Sequence, residues 1–151
     1  MFEILQFVHS WLRWIILLLG IYVIVKSFMG WKGNKVYEKT DNALSGAFMG
    51  TLHLQLLIGL SLYFVYSPIV QGAFNDFGAA MKDSAIRYWA VEHIFVMIIA
   101  IVIAQIGRIK SKKAVTDALK FKKAAIFYLI ALILMLSRIP FGEAERLFRG
   151  L

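Results

Sequence analysis

The sequence predicts an all-α polytopic membrane protein, a four-transmembrane-helix up-down bundle. Three observations carry this expectation. Hydrophobic residues make up 60% of the 151-residue chain and the mean hydropathy is +0.72, against roughly 45–50% apolar residues in a soluble domain. So much apolar surface cannot be hidden in one small core. The apolar residues gather into four segments, at about 4–29, 43–67, 84–107 and 121–140, each approaching the roughly 20 residues of a spanning helix if terminal Lys and Arg side chains snorkel. The basic residues fall mainly between the segments. Loops of roughly 13 to 17 residues favour antiparallel neighbours, and residues 1–151 read as a single membrane domain.

Segment one carries His9 and Arg13 near its start and Lys26 near its end. Its leader, Met1-Phe2-Glu3, lacks a basic n-region, and the apolar run is too long for a typical signal-peptide core. A polar, glycine-containing stretch leads to segment two, which Pro68 stops. No charged residue occurs between Asn42 and Asn75. The stretch from Pro68 to Asp83, with Gly72, Asn75, Asp76 and Gly78, reads as a loop holding a short interfacial helix. Segment three follows, then a strongly basic stretch. Lysines and Arg138 flank segment four, and a short charged tail completes the chain.

The loops set the orientation. The formal net charge is +8, which by itself would suit nucleic acid. Its distribution argues against that partner. The third loop holds Arg108, Lys110, Lys112, Lys113, Lys120, Lys122 and Lys123 against Asp117, a net of +6; the first has +1 and the second zero. Loops one and three lie on the same side, so they face the cytoplasm and both termini face outward. Trp11, Trp14, Tyr63, Tyr66, Tyr88 and Trp89 then fall towards the outer interface and Trp31 towards the inner one, as aromatic belts require. The absence of cysteine excludes disulfides, thiolate metal sites and the C-x-x-C-H attachment of c-type haem. The chain has no Ser/His/Asp nucleophile set, no phosphate-binding loop and no close pair of intramembrane carboxylates.

Ionisable groups inside apolar segments mark functional candidates. All three histidines, His9, His53 and His93, lie there, which points to a buried, non-covalent cofactor, with haem first. Axial ligands of one haem meet the iron from opposite faces and need similar depth. At about 1.5 Å rise per residue, His9 lies roughly 5–8 Å and His93 roughly 8–12 Å below the outer helix ends, while His53 is near the midplane. His9 and His93 are the preferred pair of iron ligands. Gly46, Gly50 and His53 share one face of segment two. They form either a close helix contact or, through the missing side chains at Gly50 and Gly46, a space for a porphyrin beside His53. His53 is a third candidate ligand, and alternatively a hydrogen-bond partner for a quinone or a proton relay.

Arg13 lies one turn below His9 and needs a partner. Glu92, the only acid within an apolar core, sits at similar depth, so an Arg13–Glu92 ion pair is expected. Alternatively Arg13, Arg87 or Arg138 binds a haem propionate through the guanidinium fork, and Glu92 orients an imidazole.

Three stretches, His9-Ser10-x-Leu12-Arg13-Trp14, Leu52-His53-Leu54-Gln55-Leu56-Leu57-Ile58-Gly59-Leu60-x-Leu62-Tyr63-Phe64 and Val91-Glu92-His93, resemble small four-helix bacterial membrane proteins labelled "cytochrome b". The likeness covers nearly the whole chain. A weaker likeness joins helices one and two to the four-helix membrane protoporphyrinogen oxidases, which have an early histidine in helix one and an H-x-K-L-like motif in helix two; Gln55 stands where that motif has lysine. The first resemblance implies non-covalent haem b and an electron carrier, rather than an enzyme, in the bacterial cytoplasmic (inner) membrane. Its partners would be the lipid bilayer and a quinone or redox protein, with homo- or hetero-oligomers an option. The second implies a haem-dependent oxidase of a porphyrinogen-like substrate. A cofactor-free membrane subunit or assembly factor is the remaining alternative.

Overall fold

The first apolar segment forms one unbroken helix, α1 (Phe2–Lys32), in the computed structural model, which describes residues 1–150. Its 31 residues extend about 46 Å at 1.5 Å per residue. The second helix, α2 (Lys39–Ser61), continues through a π-helical turn, Leu62–Tyr66. The chain then breaks at Ser67, whose hydroxyl accepts from Val70 N at 3.4 Å, and Pro68 opens α3 (Pro68–Asn75), where its missing N–H is not needed. Asp76 and Asp83 cap the short helices α4 (Phe77–Lys82) and α5 (Ser84–Arg87). A second π-helical turn, Tyr88–Glu92, feeds α6 (His93–Lys112). After four residues Thr116 caps α7 (Asp117–Leu136), accepting from Leu119 N at 3.2 Å. The tail contains α8 (Ala144–Leu147). No strand occurs among the described residues.

Two of the expected long loops are turns. Residues 33–38 join α1 to α2 and residues 113–116 join α6 to α7. Lys32, Lys39, Arg108, Lys110, Lys112, Lys120, Lys122 and Lys123 all sit on helical turns. The reason is physical. Hydropathy marks where the side chains stop being apolar, while the backbone ladder continues as long as residues favour helix, and Lys and Arg do.

Three stretches are long and apolar enough to cross a membrane, Phe2–Lys32, Lys39–Tyr66 and Ser84–Lys112. The remaining long helix, α7, opens with lysines and has a shorter apolar run. It is nonetheless the most enclosed element. It packs against α1 and α6, while α2 packs against α1 and α6 in turn. Its buried residues Phe121, Ala124, Ala125, Tyr128, Ala131, Leu132 and Met135 recur at three- and four-residue steps, the spacing of one helix face. Phe48 of α2 meets Tyr128 edge to face, and the hydroxyls of Ser45 and Tyr128 are hydrogen-bonded in the core.

Small residues set the helix spacing. Ala100, Ala104 and Gly107 of α6 are buried. A Cβ on Gly107 would lie 2.3 Å from the Cβ of Phe127. Gly107→Val therefore forces α6 away from α7 and is expected to cost about 1–3 kcal/mol, read as a lower thermal unfolding midpoint in detergent. An unchanged midpoint would refute this packing.

The outward surface reverses the usual polarity. Leu18, Val25, Leu57, Phe95 and Ile133 are at least half exposed, where a soluble bundle would carry polar side chains. One end of the bundle has Lys32 and Lys122 over the Trp31 ring, at 4.4 and 5.2 Å. The other end has Trp11, Trp14, Trp89 and the C-terminal tail.

Candidate functional site

Three helix faces converge near the tail end of the bundle. On α1, Gln6, His9, Ser10 and Arg13 recur at three- and four-residue spacing and so share a face. On α2 the converging face is Leu52, Gln55, Leu56 and Gly59, continued by Tyr63 of the π turn. Trp89 and, on α6, His93, Met97 and Ile101 supply the third. Together with Met135, Ile139, the 67–70 stretch and the tail they line a cavity of about 720 Å³. The two π turns meet across it, since the Tyr63 hydroxyl donates to the Ala90 carbonyl at 2.6 Å. Such turns re-aim the side chains that follow them and are frequent at functional sites.

His9 and His93 face each other in this cavity, with ring centres 6.5 Å apart and planes 62° apart. His93 Nδ1 lies 3.0 Å from the Arg138 carbonyl. A carbonyl only accepts, so Nδ1 carries the proton and Nε2 keeps its lone pair. The Tyr88 hydroxyl donates to the same carbonyl at 2.7 Å. The His9 ring passes Gly59 closely, and a Cβ there would be 3.2 Å from its Cε1. Glycine leaves that ring its room.

The cavity walls hold unmet polar groups. Six buried side-chain atoms lack a hydrogen-bond partner among the described residues, and four of them, Gln6 Oε1, His9 Nδ1, Arg13 Nε and Gln55 Oε1, belong to residues lining this cavity. Each unsatisfied buried group costs about 1–3 kcal/mol. Such a cluster inside apolar walls is the composition of a ligand site.

A strap that the sequence presents only as a charged tail closes the cavity. The donors come from one side of α1. Ser10 Oγ donates to the Arg146 carbonyl at 3.0 Å and Trp11 Nε1 to the Arg149 carbonyl at 3.0 Å. Arg13 Nη2 donates to the carbonyls of Arg146 and Leu147 at 3.1 and 2.9 Å, and Trp14 Nε1 to that of Leu147 at 2.9 Å. Phe148 stacks on Trp14 with ring centres 5.3 Å apart. Arg146 pairs with Glu143 and lies 4.3 Å over the Trp89 ring.

The expected Arg13–Glu92 ion pair does not form. Glu92 pairs instead with Arg87 at 2.9 Å and with Arg138 at 3.9 Å. The π turn explains the choice, because it brings residues five apart in sequence over one another, and Arg87 precedes Glu92 by five. Arg13 is taken up by the strap. Arg87 and Arg138 lie beside the cavity without lining it. His53 is exposed on the outward face of α2 with Gly50 and Leu57, and nothing lies within 4 Å of a Cβ built on Gly50. The shared face of Gly50 and His53 is real, but periodicity cannot tell which face turns inward. Gly46 departs from it, and a Cβ built there would lie 3.1 Å from Nη2 of Arg108. Sequence reasoning passed over Gln6, Gly59 and the strap arginines. The available signal was the common spacing of Gln6, His9, Ser10 and Arg13, and of Leu52, Gln55 and Gly59.

Among the described residues no group of three or more His, Cys, Asp or Glu side chains comes together to hold a metal ion. No protein-family model matches the chain, and neither curated proteins nor solved structures have a significant likeness to it.

Proposed function

We propose that this chain is a four-span membrane protein that holds haem b between His9 and His93 and takes part in electron transfer with a quinone or a redox partner protein. The spacing of the two imidazoles carries the reading. Ring bonds of about 1.33 Å put a ring atom about 1.1 Å from the ring centre, and a first-row metal sits about 2.0–2.1 Å from an imidazole nitrogen. Two imidazoles on opposite sides of one metal therefore have centres about 6.2–6.4 Å apart on these lengths. The observed separation is 6.5 Å. The unpartnered His9 Nδ1, the apolar walls and a cavity of about 720 Å³ fit a bulky, flat, largely apolar group.

Haem, when bound, supplies a one-electron redox centre whose potential the protein tunes. The residues of this chain do the rest. Arg138 holds His93 through Nδ1, which orients the ring and makes Nε2 a stronger donor. Tyr88 steadies the same carbonyl. Leu52, Leu56, Met97, Ile101 and Met135 keep water from the imidazole pair, and Gly59 leaves the His9 ring its room. The direct test is the absorbance spectrum of the detergent-purified protein after expression with ample haem. A low-spin b-type spectrum is expected, and absence of any Soret band refutes the reading.

The topology belongs to the same proposal. The fourth span is α7, the basic turn after α6 is cytoplasmic, and both termini lie outside the bacterial cytoplasmic membrane. The cation–aromatic pairs at both ends of the bundle support two interfaces. The chain has no cysteine, so Val115→Cys creates a single reactive thiol at a position 93% exposed. A membrane-impermeant maleimide should label it in inside-out vesicles and leave it unlabelled in intact spheroplasts. The reverse pattern overturns the orientation.

A further inference from the structure

Arg87 and Arg138, expected to meet carboxylates, are held by Glu92, and Arg87 Nη1 also donates to the Met81 carbonyl at 2.9 Å. The cationic groups that do line the cavity are different ones, Arg13, Arg146 and Arg149, against the single carboxylate of Glu145. Arg13, Arg146 and Arg149 are half-buried beside apolar walls, where an anion that joins them is stabilised. Arg146 has Glu143 and Trp89. Arg13 keeps its Nε buried and unpartnered, and among the described residues no carboxylate pairs with Arg13 or Arg149. The strap backbone is pinned to Ser10, Trp11, Arg13 and Trp14, so the backbone positions that carry Arg146 and Arg149 are set before a ligand arrives, which lowers part of the ordering cost of binding.

We infer that the C-terminal strap forms a carboxylate subsite of this cavity, in which Arg149 and Arg13 receive the two propionates of haem. The inference rests on the haem reading above and adds to it the residues that recognise the ligand's charged edge. The guanidinium fork of Arg149 matches a carboxylate in two parallel hydrogen bonds, while Arg13, whose Nη2 is committed to the strap carbonyls, offers its unpartnered Nε. The strap is then part of the binding site, and the orientation of the ligand follows, with its acidic edge towards the tail and its apolar edge towards Leu52 and Ile101.

The test compares haemin with haemin dimethyl ester, which has the same ring and no free carboxylate. The purified apoprotein is titrated with each and followed in the Soret region. Wild type should bind haemin at least about tenfold more tightly than the ester, the worth of one charge-assisted hydrogen bond. Arg149→Gln should lose about tenfold for haemin by the same measure and bind the ester as wild type does. Equal ester binding also demonstrates that the variant is folded. Glu145→Gln, which removes the lone acid of the lining, should bind haemin more tightly than wild type. The inference is overturned if wild type binds both ligands equally, or if Arg149→Gln binds haemin as wild type does. If wild type binds neither ligand, the haem reading falls together with the subsite; if both bind alike, the subsite alone falls.

Discussion

On the haem reading proposed above, His93→Ala should abolish the low-spin spectrum of the haem-loaded protein, and His9→Ala should do the same. This is the largest effect expected of any single change. Six-coordinate low-spin iron needs both axial ligands, and each imidazole has one counterpart within reach, at a ring separation of 6.5 Å. The third histidine is no substitute, because His53 faces away from the cavity. The two variants should differ in what remains. His9→Ala leaves His93 braced by Arg138 and Tyr88, so one well-oriented ligand survives and a high-spin, five-coordinate spectrum should persist. His93→Ala leaves His9, whose Nδ1 has no partner among the described residues, and haem occupancy itself should fall. His53→Ala should change nothing. Retention of the low-spin spectrum in both His9→Ala and His93→Ala refutes the ligand assignment; its loss in His53→Ala refutes the orientation of α2.

Arg13→Ala should loosen the strap. Arg13 Nη2 bridges two strap carbonyls, and hydrogen bonds from a charged donor contribute about 1.5–3 kcal/mol each. Ser10, Trp11 and Trp14 still hold their carbonyls, so the net loss is about 2 kcal/mol, or about a 30-fold rise in the open population. Local opening governs proteolysis when reclosing is fast. Trypsin cleavage after Arg146, measured by mass spectrometry of the released C-terminal peptide, should therefore accelerate by about that factor, while the bundle's thermal midpoint moves little. The same rate in wild type and variant would mean that the strap does not depend on Arg13. Because the strap closes one end of the cavity, a loosened strap should also speed haem loss.

Much of the helical plan was legible. Long apolar segments favour the helix, which satisfies every backbone hydrogen bond within one segment. The ends were harder to read, since Lys and Arg end an apolar run without ending a helix. Similar depth for His9 and His93 followed from rise per residue alone. Partner choice did not. Glu92 selects Arg87 because a π turn stacks residues five apart, and nothing in residue type marks that turn in advance. The strap was invisible for a related reason. Its contacts use its own backbone carbonyls as acceptors, and every residue has one, so no pattern of side chains announces that Arg146, Leu147 and Arg149 will be gripped by α1.

The sequence by itself determined the class of environment, the helical segments, the asymmetry of charge between the connections, and the short inventory of polar groups inside apolar stretches. These depend on composition and on distance along one helix, both of which are local. The tertiary structure decided which faces turn inward: the one with Gln55 and Gly59 rather than the one with Gly50 and His53, and the strap rather than Glu92 as the partner of Arg13. Those outcomes depend on which helices close against which, through the small residues along α6 and α7, and that contest between faces is won across the whole bundle.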